Sequence, residues 1–114
     1  MTTEQRIQTE QDIFTKLVDD ALAQGNTISV FDSDTWVVHG SRNRTRILCA
    51  MHTMNEDKLK FRDIRNGDVL GQVFLVYGKH GWDVIKDYTD NARMGVIMNG
   101  AEQLAKTLRE KYNE

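Results

Sequence analysis

The 114-residue chain, with 39% hydrophobic and 28% charged residues, has the proportions of one globular domain spanning residues 1–114. Its formal net charge of −2 argues against a general DNA- or RNA-binding protein, and its single cysteine excludes an internal disulfide or a cysteine-based zinc site. No apolar run is long enough to cross a membrane and no signal peptide is recognisable, so we expect a cytoplasmic protein without membrane contact.

Periodicity and turn residues predict helices and strands in a segregated order along the chain. The expected elements are a helix over 4–24, strands 27–30 and 35–39, a helix over about 42–53, strands 58–63, 69–77 and 82–87, and a closing helix capped by Thr89 or Asp90. Gly25 ends the first helix, and Asn66-Gly67 is a strong hairpin signal. Strand remains an alternative to helix over 46–51. The fold class is therefore α+β: an antiparallel sheet of about five strands, with long N- and C-terminal helices and a short middle helix.

Motifs of common enzymes are missing from the sequence. It contains no phosphate-binding loop, no dinucleotide-binding glycine pattern, no nucleophile elbow and no HExxH metal motif. The three histidines are far apart, which favours unrelated edge or surface positions over a metal cluster. Cys49 lies in an apolar run, which favours a buried structural role. We predict no metal, no cofactor and no enzymatic activity; a small hydrolase that uses Asp83 or Asp87 is the least favoured alternative.

The sequence also contains pairs of carboxylates, which could in principle act as a general acid and a general base. Glu56 and Asp57 are expected in a solvated loop. Asp83 and Asp87 share parity on the last predicted strand, which places both on one sheet face, where they could accept hydrogen bonds from a ligand. An exposed edge without a ligand is at least as good an interpretation.

Alternate arginines at 42, 44 and 46 are the clearest basic feature. Guanidinium groups bind phosphates in a bidentate manner, so Arg42 and Arg44 are candidates for an anion site. Taken alone, a solvated charged face is the favoured interpretation.

The densest cluster of polar and aromatic residues lies at 77–93. Its members are Tyr77, Lys79, His80, Trp82, Asp83, Asp87, Tyr88, Asp90, Asn91 and Arg93. Aromatic rings stack on nucleobases with about 1–3 kcal/mol per base, and the Asn91 amide suits an adenine edge. The start of a helix adds favourable N–H groups for an anion. These are parts of a nucleotide site, although Trp82 and Tyr88 could each simply pack in the core.

The segments ISVFDSDTWVVHGS and GQVFLVYGKHGWDVIKDYTDN resemble the phage-encoded anti-Thoeris sponge proteins, over about residues 25–110. The resemblance implies a non-enzymatic protein that binds cyclic ADP-ribose isomers made by TIR-domain immune enzymes and withholds them from their effector. Some members also hold cyclic oligonucleotides. It further implies dimers or higher oligomers with pockets at subunit interfaces, acting in the cytoplasm of the host cell.

The resemblance also assigns residues. Trp82 matches the aromatic that would stack on adenine, Asn91 a polar residue at the start of the last helix, and Arg109 a basic residue suited to the pyrophosphate. Arg42 and Arg44 match no motif, so a second anion site there depends on charge alone. The competing interpretation is a small protein–protein inhibitor, or a structural oligomer, with the Trp82 and Tyr88 surface as its hot spot.

Overall fold

The computed structural model describes residues 1–112, which form three helices and one five-stranded antiparallel sheet. In chain order the elements are α1 Thr3–Ala23, β1 Asn26–Phe31, β2 Trp36–Ser41, α2 Arg44–Ala50, β3 Glu56–Asp63, β4 Val69–Val76, β5 Ile85–Tyr88 and α3 Ala92–Tyr112. The strands lie in the order β2-β1-β3-β4-β5. The predicted fold class is confirmed, and the ambiguous range 46–51 is helical in all but its last residue. No helix within residues 1–112 combines the length and the apolarity needed to span a membrane.

Local signals set the bounds of α1. Thr2 accepts a hydrogen bond from the backbone N–H of Gln5, and the Gln5 side chain accepts one from the backbone N–H of Thr2. This reciprocal capping box satisfies two N–H groups that the helix itself leaves without acceptors. At the other end Gly25 takes a φ of +81°, the left-handed conformation predicted for it.

The core lies between the helices and one face of the sheet, because side chains of β3 alternate between buried and partly exposed positions. Its largest fully buried side chains include Ile13, Leu17, Ile28, Leu59, Phe61, Leu75, Met94, Ile97 and Met98. Helices α1 and α3 pack side by side on that face. They approach closely at Gly100, where an added Cβ would lie 2.8 Å from Cε of Lys16. The opposite sheet face carries no helix among the described residues.

The last strand is shorter than predicted. It begins at Ile85, because residues 81–83 belong to a turn. Asp83 closes that turn by accepting a 3.1 Å hydrogen bond from the backbone N–H of His80. The prediction that Asp83 and Asp87 share one sheet face is therefore wrong. The side chain that caps α3 is that of Asn91, whose Oδ1 accepts a 2.9 Å hydrogen bond from the backbone N–H of Met94. Thr89 and Asp90 lie before this cap.

Two further predictions about burial are wrong. Cys49 is exposed, because it lies on the outward side of α2, whose buried residue is Ile47. Asp57 is buried, because β3 already begins at Glu56 and turns every second side chain inward.

Candidate functional site

The turn of residues 78–83 is held close against α1. Gly78 and Gly81 have φ values of +87° and +95°, which side chains other than glycine rarely adopt. The backbone N–H of Gly78 donates a 2.8 Å hydrogen bond to the buried carboxylate of Glu10. A Cβ at Gly81 would lie 3.2 Å from the side chain of Thr9. The backbone of the turn that carries Trp82 is therefore hydrogen-bonded to and packed against α1.

Trp82 and Arg109 line one groove of about 600 Å³ between this turn and α3, together with His80, Asp83, Ala105 and Lys106. We call it the Trp82 groove. The imidazole of His80 stacks on the indole of Trp82, with ring centroids 5.2 Å apart and planes 17° from parallel. Asp83 lies 3.0 Å from Nδ1 of the same imidazole. The groove thus combines a partly exposed indole with two cationic side chains of α3, Lys106 and Arg109.

Asp87 and Tyr88 line an adjoining depression of about 280 Å³, which shares Trp82 and Ala105 with the groove. The phenol of Tyr88 donates a 2.7 Å hydrogen bond to Glu102. This hydrogen bond raises the pKa of the Tyr88 phenol above its ordinary value. Both residues therefore lie beside the groove without lining it.

Asn91 and Arg93 lie at the start of α3, far from the Trp82 groove. The Asn91 amide donates a 2.9 Å hydrogen bond to the carbonyl of Leu70, besides capping the helix. Arg93 donates a 3.0 Å hydrogen bond to Asp63. Since a helix rises 1.5 Å per residue, Asn91 and Arg109 are separated by about 27 Å along α3. A small ligand that contacted both residues would have to bridge two protomers.

Arg42 and Arg44 lie beside the C-terminal half of α1. The guanidinium of Arg42 donates hydrogen bonds to the carbonyls of Asn26, at 2.7 Å, and Leu22, at 3.1 Å. Arg44 forms a 2.6 Å ion pair with Asp19. Both guanidinium groups already have acceptors from the protein, so an anion bound here would compete with these contacts.

A buried polar cluster next to the turn was not predicted from the sequence. The phenol of Tyr77 donates a hydrogen bond to Asp57, and the imidazole of His52 stacks on the Tyr77 ring with centroids 4.0 Å apart. His52 Nε2 lies 3.5 Å from the carboxylate of Glu10. Burial raises the pKa of Asp57. The alternation of Asp57 with Leu59 and Phe61 was the signal that could have placed this carboxylate inside.

No group of three or more histidine, cysteine, aspartate or glutamate side chains within residues 1–112 is arranged to hold a metal ion. Comparison with known proteins adds no assignment: no protein-family model, no curated protein and no solved structure matches the chain.

Proposed function

We propose that the protein binds an anionic, adenine-containing small molecule in the Trp82 groove and withholds it without converting it. The resemblance to anti-Thoeris sponges makes cyclic ADP-ribose isomers the first ligands to test, with cyclic oligonucleotides as the second class. In that role the protein would act in the cytoplasm of a host cell. The proposal depends on one observation above all: an indole and two cations border one groove.

The dimensions and chemistry of the groove fit such a ligand. Its volume of about 600 Å³ falls within the range of about 300–1,000 Å³ typical of small-molecule sites. A base stacked on Trp82 would displace the His80 imidazole or cover the other face of the indole. Its phosphates would then lie near Lys106 and Arg109, and charge-assisted hydrogen bonds to phosphate are the strong ones. Asp83, a carboxylate that lines the groove, already accepts a hydrogen bond from the backbone N–H of His80 and lies 3.0 Å from Nδ1 of its imidazole.

Self-association would extend the site. Asn91 and Arg93 are too far from Arg109 to share a small ligand within one protomer. In a homo-oligomer, the start of α3 from one protomer could complete the Trp82 groove of its partner. The outer edges of β2 and β5, which end the described sheet, offer backbone groups for such an assembly.

Recovery of bound ligand tests the function directly. The purified protein is incubated with cyclic ADP-ribose isomers, freed of unbound ligand by gel filtration and then heat-denatured, and the released material is identified by mass spectrometry. Intact ligand in the denatured fraction supports sequestration. A degraded ligand identifies an enzyme. Absence of retained ligand contradicts the proposal and favours the protein–protein inhibitor or structural oligomer.

A further inference from the structure

The sheet face opposite the helices, here called the open sheet face, carries a row of aromatic and charged residues. Cross-strand register aligns Trp36 with Phe31, Phe31 with Lys58, Lys58 with Phe74, and Phe74 with Asp87. One line across all five strands therefore holds three aromatic rings. The row shares no residue with the Trp82 groove, which lies between the 78–83 turn and α3, although its last member, Asp87, also lines the depression that adjoins Trp82.

The aromatic rings surround one lysine. Nζ of Lys58 lies 5.0 Å from the ring centroid of Phe31 and 5.7 Å from those of Trp36 and Phe74. Phe74 is 43% exposed, which is a high value for a phenylalanine in the strand next to the central one. A planar ligand could stack on the exposed part of this ring.

Positive charge runs along the central strand. Lys58, Lys60 and Arg62 are successive outward side chains of β3, about 6.8 Å apart in an extended strand. Nζ of Lys60 lies 4.6 Å from the ring centroid of Trp36. This face also carries two carboxylates: Glu56 is the first residue of β3, one outward position before Lys58, and Asp87 lies on β5 opposite Phe74. The net charge of −2 for the whole chain conceals this local basic row.

We propose that the open sheet face binds single-stranded nucleic acid. The phosphates would follow Lys58, Lys60 and Arg62, in the direction along β3 that leads away from Glu56, and bases would stack on the flanking rings. A depression of about 320 Å³ beside Phe74 has room for a base; Phe31, Lys58 and Lys86 border it, and so do Glu56 and Asp87. For this face the proposal departs from the expectation, based on net charge, that DNA and RNA are not partners.

Other occupants fit the face less well. A second copy of the chain would set this lysine and arginine row against its own equivalent, which like-charge repulsion disfavours. Bases in a duplex are stacked within the helix and cannot reach the rings, whereas single strands offer unstacked bases. The combination of a cationic row with aromatic platforms therefore selects the single strand.

Fluorescence anisotropy with labelled oligothymidylate and oligouridylate of about twenty nucleotides tests the proposal, and the two strands distinguish DNA from RNA. Three phosphate contacts predict a slope of about −2 in log affinity against log salt, so affinity should fall about 20-fold between 50 and 200 mM salt. A duplex of equal length should bind more weakly than either single strand. No binding of either strand at 50 mM salt, or equal binding of the duplex, would overturn the proposal.

Two substitutions locate the binding. Phe74→Ala should weaken strand binding at least about 5-fold, and Phe74→Leu should weaken it similarly, because leucine keeps apolar volume but lacks a ring to stack on. Lys60→Ala should reduce the salt slope by about 0.7.

Lys106→Ala, in the Trp82 groove, is the matched control and should leave strand binding unchanged, so the two sites can fail independently. Strand binding that survives both Phe74→Ala and Lys60→Ala contradicts this location. A stable dimer that Phe74→Ala dissociates would assign the face to self-association instead.

Discussion

The backbone N–H of Gly78 donates a 2.8 Å hydrogen bond to the carboxylate of Glu10, although 68 residues separate the two. Glu10 is fully buried in α1, where Arg6 also lies 3.3 Å from its carboxylate. The side chain therefore joins the first helix to the turn that carries Trp82.

Glu10→Ala should lower the free energy of unfolding by about 1.5–3 kcal/mol, because it removes a hydrogen bond to a charged acceptor and leaves Arg6 without its partner. Urea unfolding measures the loss. Glu110→Ala, an exposed carboxylate on α3, is the control and should stay within about 0.5 kcal/mol of wild type. Equal stability of the two variants would contradict the role assigned to Glu10.

Trp82→Ala should weaken nucleotide binding about 5- to 100-fold, the loss expected from one stacked base, while the chain remains folded. Calorimetry measures the affinity and circular dichroism the fold. Trp36→Ala replaces the other tryptophan, which lies on the open sheet face, and should leave nucleotide binding unchanged. Global unfolding of Trp82→Ala would instead identify the indole as part of the core.

Gly71→Ala should destabilise the protein, because a Cβ there would lie 2.7 Å from Cγ of Met94 and 2.8 Å from Cβ of Thr89. Gly95→Ala is its counterpart inside α3, where nothing lies within 4 Å of the added carbon. It should raise the free energy of unfolding by about 0.5–1 kcal/mol through better helix propensity. Thermal unfolding of both variants checks the opposite signs, and shifts in the same direction would contradict the packing of α3 on β4.

Asn91→Ala should cost about 1 kcal/mol of stability, because it removes the cap of α3. Asn99→Ala, at an exposed position of the same helix, should leave stability unchanged or slightly higher. Denaturant unfolding compares the two. Nucleotide binding by the same variant tests the site shared by two protomers. If the protein is an oligomer and Asn91→Ala weakens nucleotide binding, the result supports a groove that is completed by the start of α3 of the partner protomer.

Asp63 predicts a specific acid response. Hydrogen bonds from Arg65 and Arg93 hold the pKa of this buried carboxyl well below its usual range. Its stabilising effect is therefore present above the unfolded-state pKa of about 4 and is lost as the pH falls through the folded-state value. Asp63→Asn should be less stable than wild type at neutral pH and should lose less stability on acidification below about pH 4. Parallel pH profiles of the two proteins would contradict this assignment.

The sequence predicted what depends on local chemistry. Gly25 and Gly67 occupy positive-φ positions at the predicted turns, and the alternation over 58–63 matches the two faces of β3. Predictions failed where a side chain forms a hydrogen bond with a residue distant in the sequence or closes a turn. Asp83 lies in a sequence typical of a strand, but it accepts a hydrogen bond from the backbone of His80 in a turn. Asp57 was predicted in a solvated loop, but it is buried and accepts a hydrogen bond from the phenol of Tyr77.

The candidate site shows the same division. The sequence grouped Trp82, Tyr88 and Asp87, and in the structure these three residues line one depression. Asn91 was grouped with Arg109 by resemblance, although the length of an intact helix separates them. The open sheet face was missed because its rings come from β1, β2 and β4, and only the strand order brings Phe31, Trp36 and Phe74 into one row.

The side-by-side packing of α1 and α3 has a consequence for the order in which the chain can fold. Helix α1 is synthesised before α3, the helix that packs beside it. Until Met94, Ile97 and Met98 are available, the apolar sides of α1 and of the central strands remain open to water. Contacts between segments so distant in sequence slow folding and expose partly folded chains to aggregation. We therefore expect docking of α3 to complete the core, and a nascent chain that stalls before it to depend on chaperones.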